Sequence, residues 1–284
     1  MFVRRGPAFR MTSVPVIHID DSKDLRLAEF RSVPDADLLA RHGLFVAEGR
    51  LVVRRLLLES SLATRSVMVT EAAYASLKDA LEGRHRLPVY EVPQEVMNDI
   101  IGFNIHRGCL ALGERPPGRS LTDLTAGARQ LVAIERVGNA DNVGAVFRNA
   151  AAFGVDGILV GPSCTDPLYR KAIRTSMAAA LTMPFVVALA WPDVLRELHT
   201  DGWAVIAMTP SASAMPLADV AEIVHGLRIV VLVGHEGDGL TPDSLAASSY
   251  QARIPMASGV DSVNVATALA IALYELNRGG TRRA

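Results

Sequence analysis

From residue 130 to the C-terminus, short runs of β-branched and aliphatic residues alternate with segments whose apolar positions recur at helical spacing. The runs predict strands at 130–135, 157–160, 185–189, 203–208, 229–233 and 251–254, with helices between most of them. Strands that are apolar along their whole length are the kind buried on both faces. This half is therefore expected to be α/β, with a largely parallel sheet covered by helices on either side. Its last helix, beginning near Val265, is apolar nearly all round (Val265, Ala266, Ala268, Leu269, Ala270, Ile271, Ala272, Leu273), which predicts burial on every side.

The upstream half carries the same alternation on a smaller scale. A short helix is expected at 35–42 and a longer one at 45–60. In the longer helix Leu51, Val52, Leu56 and Leu57 share a face, while Arg50, Arg54 and Arg55 fall largely on another. Strand 66–69, helix 71–82 with Tyr74, Leu77 and Leu81 inward, strand 87–91, helix 94–101 and strand 108–112 complete a small α/β domain. Arg115-Pro116-Pro117-Gly118-Arg119 has the composition of a linker. The expected organisation is a flexible arm over 1–20, a small domain over 21–115 and a larger one over 120–284.

Composition changes this picture little. The 284 residues suffice for two domains, and 50% apolar with 21% charged residues is ordinary globular usage. Two cysteines, Cys109 and Cys164, and seven scattered histidines show no metal-ligand spacing, so no metal is expected and reduced thiols are the default. The formal net charge is −1, with 17 basic against 15 acidic residues in 1–119 and 12 against 15 in 120–284. A polyanionic partner would have to meet a local patch. Arginine outnumbers lysine 26 to 3, which suits bidentate phosphate contacts and equally reflects genome composition. Residues 1–15 carry Arg4, Arg5 and Arg10 but no apolar run of signal-peptide length, and no window approaches a membrane span. They read as the frayed arm of a cytoplasmic protein, with Met11 as an alternative start.

Three constellations carry candidate chemistry. In the first, Asn139 to Gly154, Asn142 sits where a helix N-cap belongs. Val146, Phe147, Ala150 and Ala151 form the core stripe, and Arg148 lies off it between the small residues Ala145 and Ala152. In the second, the strand Ile229–Val233 breaks at once into Gly234-His235-Glu236-Gly237-Asp238-Gly239-Leu240. Glycines that dense let a backbone approach a ligand closely, and Glu236 places a carboxylate where a structural turn needs none. In the third, Ile254-Pro255-Met256 is followed by Ser262-Val263-Asn264 just before the last helix. Taken singly, a cap with a solvated arginine, a tight turn and another cap explain these segments as well.

Taken jointly, they resemble the three signature motifs of the SpoU family, the RNA ribose 2′-O-methyltransferases also called the TrmH family. The resemblance covers residues 130–278, with all three motifs in order. Phe45-Val46-Ala47-Glu48-Gly49 and His106-Arg107-Gly108 are similar to the small L30e-like substrate-binding domain that many members carry. The resemblance implies a SPOUT-like α/β fold with a C-terminal trefoil knot, S-adenosylmethionine as methyl donor without a metal, an RNA partner and a homodimer. By position, the donor would meet Thr209, Gly234, Ile254, Met256, Ser262 and Val263. The implied catalytic set is Asn142, Arg148, Glu236, Ser262 and Asn264. His235 stands for the usual asparagine, Val263 for leucine and Arg107 for glutamine.

The implied reaction is attack of a ribose 2′-oxygen on the donor's sulfonium methyl. Such a hydroxyl must be aligned and must lose its proton as the bond forms. An arginine is a poor base because it stays protonated, so a fixed Arg148 guanidinium is expected to hold a phosphate and stabilise the developing alkoxide. Arg50, Arg54, Arg55 and Arg107 are the candidate RNA contacts. Ribosomal RNA is the expected target, with transfer RNA or a catalytically silent RNA-binding relative as alternatives. A nucleotide-cofactor oxidoreductase fits less well, because the first strand-helix turn lacks the G-x-G-x-x-G arrangement.

Overall fold

The computed structural model describes residues 16–31, 34–102, 108–235 and 237–278. The chain divides into two compact units, Met1–Arg115 and Pro116–Ala284.

The first unit contains β1 (Val16–His18), α1 (Asp35–His42), β2 (Leu44–Glu48), α2 (Arg50–Leu58), β3 (Thr64–Val69), α3 (Glu71–Leu81), β4 (Val89–Glu91), α4 (Gln94–Ile101) and β5 (Cys109–Glu114). They form a five-stranded sheet in the order β1-β4-β3-β5-β2. β3 and β4 run parallel, while β5 is antiparallel to both β2 and β3. Two expectations change here. The helix expected over 45–60 is a buried strand followed by a shorter helix. Gly49 adopts φ 97°, a conformation that L side chains rarely take, and its N–H bonds the Cys109 carbonyl. That kink lets Leu44–Glu48 finish in the sheet before α2 begins, so Leu51 is exposed while Val52, Val53, Leu56 and Leu57 are buried. Val16–His18, within the stretch expected to be an arm, pairs with Val89–Glu91. Residues 1–15 of that stretch lie outside the described residues.

The second unit contains α5 (Leu121–Thr125), β6 (Gln130–Ile134), α6 (Ala140–Ala152), β7 (Gly157–Val160), α7 (Arg170–Thr175), β8 (Phe185–Val187), α8 (Asp193–Thr200), β9 (Trp203–Met208), β10 (Met215–Pro216), α9 (Leu217–Ile223), β11 (Arg228–Val233), α10 (Pro242–Ala246), β12 (Tyr250–Arg253) and α11 (Val265–Leu276). Seven strands, every adjacent pair parallel, run in the order β10-β12-β9-β11-β6-β7-β8. The α/β class and parallel sheet expected from the apolar runs are what the chain forms.

Both sheet faces are buried, as strand alternation requires. In β6, Val132 and Ile134 join the core under α6 and α11 with Phe147, Leu269 and Leu273, while Leu131 and Ala133 join the opposite core with Leu195, Leu198 and Trp203. α11 departs from expectation. Val265, Ala266, Leu269, Ala272 and Leu273 are buried, but Ile271 is 38% and Tyr274 61% exposed, because α6, α9 and β11 cover only one side of the helix. Among the described residues no helix is long and apolar enough to cross a membrane.

Sheet order fixes where a crevice can open. From β6 the chain moves outward to β7 and β8, then crosses to β9, and β11 later fills the place between β9 and β6. The carboxyl ends of β6 and β11 are thus neighbours at a reversal of strand order, where open α/β sheets bind ligands.

Candidate active site

Three loops at the carboxyl edge of the second unit's sheet meet around one cleft of about 210 Å³. Met208, Thr209 and Pro210 follow β9. Gly234, His235, Gly237 and Gly239 follow β11. Ile254, Met256 and Asp261 to Val263 follow β12, and Val265 and Ala268 of α11 close one side. All six residues expected at the donor therefore line it. The walls supply aliphatic surface from Val233, Ile254, Val263 and Val265, a thioether from Met256, and loop backbone.

The loop after β11 is shaped by its own hydrogen bonds. The Gly239 N–H donates to the His235 carbonyl at 3.1 Å, and His235 Nδ1 accepts from the N–H groups of Gly237 (3.0 Å) and Asp238 (3.1 Å). Nδ1 is thus the ring atom turned to the loop's own backbone. It serves here as a backbone cap, a role that the short carbonyl of an asparagine also fills. A Cβ at Gly234 would stand 2.9 Å from the Gly239 carbonyl carbon and 2.8 Å from Leu240. The glycine is thus required by the loop's own closure. Glu236 lies outside the described residues.

The first and third constellations meet directly. Asn264 is the N-cap of α11, with Oδ1 accepting from Ala266 N–H at 2.9 Å and Thr267 N–H at 3.3 Å. Its Nδ2 donates to Asn142 Oδ1 at 2.9 Å. The amide of Asn264 is thereby engaged at both ends, tying the start of α11 to the first turn of α6. Asn142 is not the cap of α6. Asn139 is, accepting from Asp141 N–H at 2.8 Å, because the helix starts one turn earlier than the apolar stripe suggested. Close packing of α6 on α7 explains Gly144, where a Cβ would fall 2.6 Å from the Ala172 carbonyl oxygen.

Arg148 stands apart. It lies six residues beyond Asn142, about 9 Å along the axis at roughly 1.5 Å per residue, on an exposed part of α6. It does not line the cleft. Among the described residues no ion pair or hydrogen bond engages its guanidinium. The structure thus places Ser262 in the cleft lining, joins Asn264 to Asn142 beside it, and leaves Arg148 exposed to one side.

The arginines expected to meet RNA divide sharply. Arg54 is committed to Asp79, with Nη1 donating to Oδ1 at 2.8 Å and Nη2 paired to Oδ2, which holds the Asp79 carboxyl below its ordinary range. Arg55 pairs with Glu59 at 3.5 Å along the same helix. Arg50 is exposed and has no such partner among the described residues, and Arg107 lies outside them.

Sequence reading missed Glu135, 1% exposed at the end of β6, and its neighbour Arg136, which adopts φ 59° and pairs with Asp238 of the glycine loop at 2.8 Å. It missed Asp261 as well, which adds a carboxylate to the cleft. An acidic residue directly following the apolar run Leu131–Ile134 was the available signal for Glu135. Nearby Cys164 is chemically quiet: burial pushes its thiol up to about 11.

Known proteins resemble this chain over most of its length. The model of the SpoU rRNA Methylase family matches residues 129–274. A protein of Mycobacterium tuberculosis (strain CDC 1551 / Oshkosh) described as an uncharacterized tRNA/rRNA methyltransferase is 42% identical over 264 residues, 92% of this chain and 91% of its own. Among solved structures, an AdoMet-bound rRNA methyltransferase from Sinorhizobium meliloti superposes with a TM-score of 0.80 at 23% identity, covering 93% of this chain and 98% of that one. An RNA 2′-O ribose methyltransferase superposes with a TM-score of 0.72 at 27% identity, covering 92% and 98%.

Proposed function

The chain belongs to the SpoU rRNA methylase family, and from that premise we propose that it transfers a methyl group from S-adenosylmethionine to a ribose 2′-hydroxyl of structured ribosomal RNA. The observation that carries the reading is the meeting of the second and third motif segments at one cleft, with the first segment tied to them by the hydrogen bond from Asn264 to Asn142. The 2′-oxygen as acceptor is further supported by the RNA 2′-O ribose methyltransferase, 27% identical over 92% of this chain.

The cleft suits the donor's chemistry. Aliphatic side chains of Ile254 and Val263 can flank an adenine, and the backbone of the glycine loop offers hydrogen bonds to its polar edge and to the methionine portion. When bound, S-adenosylmethionine supplies an electrophilic methyl on a positively charged sulfur. This chain's residues supply position and field. Ser262, Asn264 and Asn142 hold the ends of the motif loops in register. Arg148 takes the phosphate beside the target ribose in its planar fork and faces the charge that develops on the 2′-oxygen. The proton passes to phosphate or water. The family resemblance adds Glu236 to this set.

The first unit is the part we assign to reading the RNA, chiefly through unpaired nucleotides and backbone, with Arg50 as the exposed cation best suited to a phosphate. The outward Ile271 and Tyr274 of α11 favour a homodimer built on the second unit. A monomer at all concentrations in sedimentation would remove that part of the reading.

Mapping ribose methylation in total RNA, with and without the protein, tests the whole. One nucleotide of ribosomal RNA that loses its 2′-O-methyl when the protein is absent is the expected result. Loss at a transfer RNA position would move the target, and an unchanged map together with no donor binding would overturn the activity.

A further inference from the structure

The loop that walls the cleft is held by a residue outside it. Glu135 does not line the cleft, yet it grips both ends of the segment Gly234–Leu240. Its backbone N–H donates to the carbonyl of Val233, the residue before the loop, at 3.0 Å. Its carboxylate accepts from the residue after the loop, Thr241, through the hydroxyl at 2.7 Å on Oε1 and the backbone N–H at 3.1 Å on Oε2. Trp191 Nε1 at 3.0 Å and the Ser244 hydroxyl at 2.9 Å fill the remaining positions on Oε1. The next residue, Arg136, takes the middle of the loop through Asp238 at 2.8 Å. Two consecutive residues at the end of β6 thus hold the start, the middle and the end of the loop beside them.

We propose that Glu135 is a positioning residue for the methyl donor: it sets the span of the glycine loop by clamping Val233 and Thr241, and donor affinity depends on that span. The inference rests on the donor-binding reading above. Its physical basis is selective. A carboxylate 1% exposed and surrounded by four donors fixes the groups that reach it; its removal leaves the Thr241 backbone N–H without its acceptor and leaves the Thr241 hydroxyl and Trp191 Nε1 to share the Ser244 hydroxyl. Thr241 and Ser244 lie at the start of α10, so they shift together with the loop's end. A residue that merely stabilised the fold would lower the melting temperature and leave the affinity of the folded protein unchanged. A positioning residue changes that affinity well below melting, because a misplaced binding loop loses contacts even in an intact fold.

The experiment is calorimetric titration of full-length wild type, Glu135→Leu, Thr241→Val and Thr241→Ser with S-adenosylmethionine at a temperature where each is folded. Glu135→Leu keeps the bulk and removes every acceptor, and it is expected to raise Kd by about tenfold or more. Thr241→Val should raise it by roughly threefold, while Thr241→Ser, which keeps the hydroxyl, should stay within about twofold of wild type. Amide exchange should quicken across 234–245 in the weakened variants and stay unchanged in α6. A folded Glu135→Leu protein with wild-type affinity overturns the proposal. Should that variant fail to fold, equal affinities for Thr241→Val and Thr241→Ser overturn it instead. If wild type itself shows no binding, the donor reading fails and this inference goes with it, an outcome distinct from equal binding by all four proteins.

Discussion

The two sides of the proposed site are built on opposite principles. On the donor side the loop after β11 is held closed by contacts within the chain. His235 caps two backbone N–H groups, Asp238 is paired with Arg136, and Gly234 packs on Gly239. On the acceptor side Arg148 projects from α6 into solvent without a described partner. The difference follows from what each side would have to do. A small donor is held best by a surface whose shape exists beforehand. A guanidinium acting on the transition state is most useful where no internal carboxylate competes for it.

Exchanging Arg148 should break that contrast most severely. Arg148→Ala is expected to lower single-turnover methyl transfer by about two to three orders of magnitude, the scale found for removing one transition-state donor, while calorimetric donor affinity stays unchanged. Arg148→Lys should remain poor, since a point charge cannot reproduce the planar fork. Normal turnover in the alanine variant would make Arg148 a surface charge.

The donor side answers to a smaller change. His235→Leu leaves the N–H groups of Gly237 and Asp238 without their acceptor and should weaken S-adenosylmethionine binding by roughly tenfold. His235→Asn, whose carbonyl can serve the same two donors, should bind nearly as wild type. Equal weakening in both would mean that the imidazole contacts the donor itself instead of shaping the loop.

Asn264 joins the two sides, so its loss should blur the distinction between them. Asn264→Ala removes the cap of α11 and the bond to Asn142, and should lower unfolding free energy by about 1 kcal/mol. A denaturant series measures this, and a midpoint equal to wild type would show that the Asn142–Asn264 bond carries no load. The smallest effect is expected in the first unit. Arg54→Ala should change retention of total ribosomal RNA in a filter-binding assay less than Arg50→Ala does, since Arg54 is already paired with Asp79. The reverse order would mean that RNA displaces Asp79.

How much of this the sequence disclosed depended on range. The strands of the second unit were legible because Leu131–Ile134 and Val230–Val233 are apolar without interruption. β10 was not, since Met215–Pro216 is too short to make a pattern. Over 45–60 a buried strand and an amphipathic helix abut, and so short an apolar run fits either period until Gly49 shows its positive φ. Asn142 was taken for a cap because two asparagines lie within one turn and sequence alone does not fix which one leaves the helix. The residues proposed to meet the donor were reachable only through the joint resemblance of three segments. Glu135 was hidden more deeply, because its side-chain partners lie 56, 106 and 109 positions away and none of them has a distinctive local pattern.

The margins of the seven-stranded sheet bear on how this protein behaves in a crowded solution. One margin is β10, two residues long and containing Pro216, which has no N–H to offer; the other is β8, only three residues. A wide parallel sheet exposes its backbone ladder only along such margins, and a long straight one is a template for another chain's strand. Here the template is a few residues at each side. Intermolecular strand addition thus finds almost nothing to extend on this sheet, and association by strand pairing is expected to avoid both of its margins while the fold is intact.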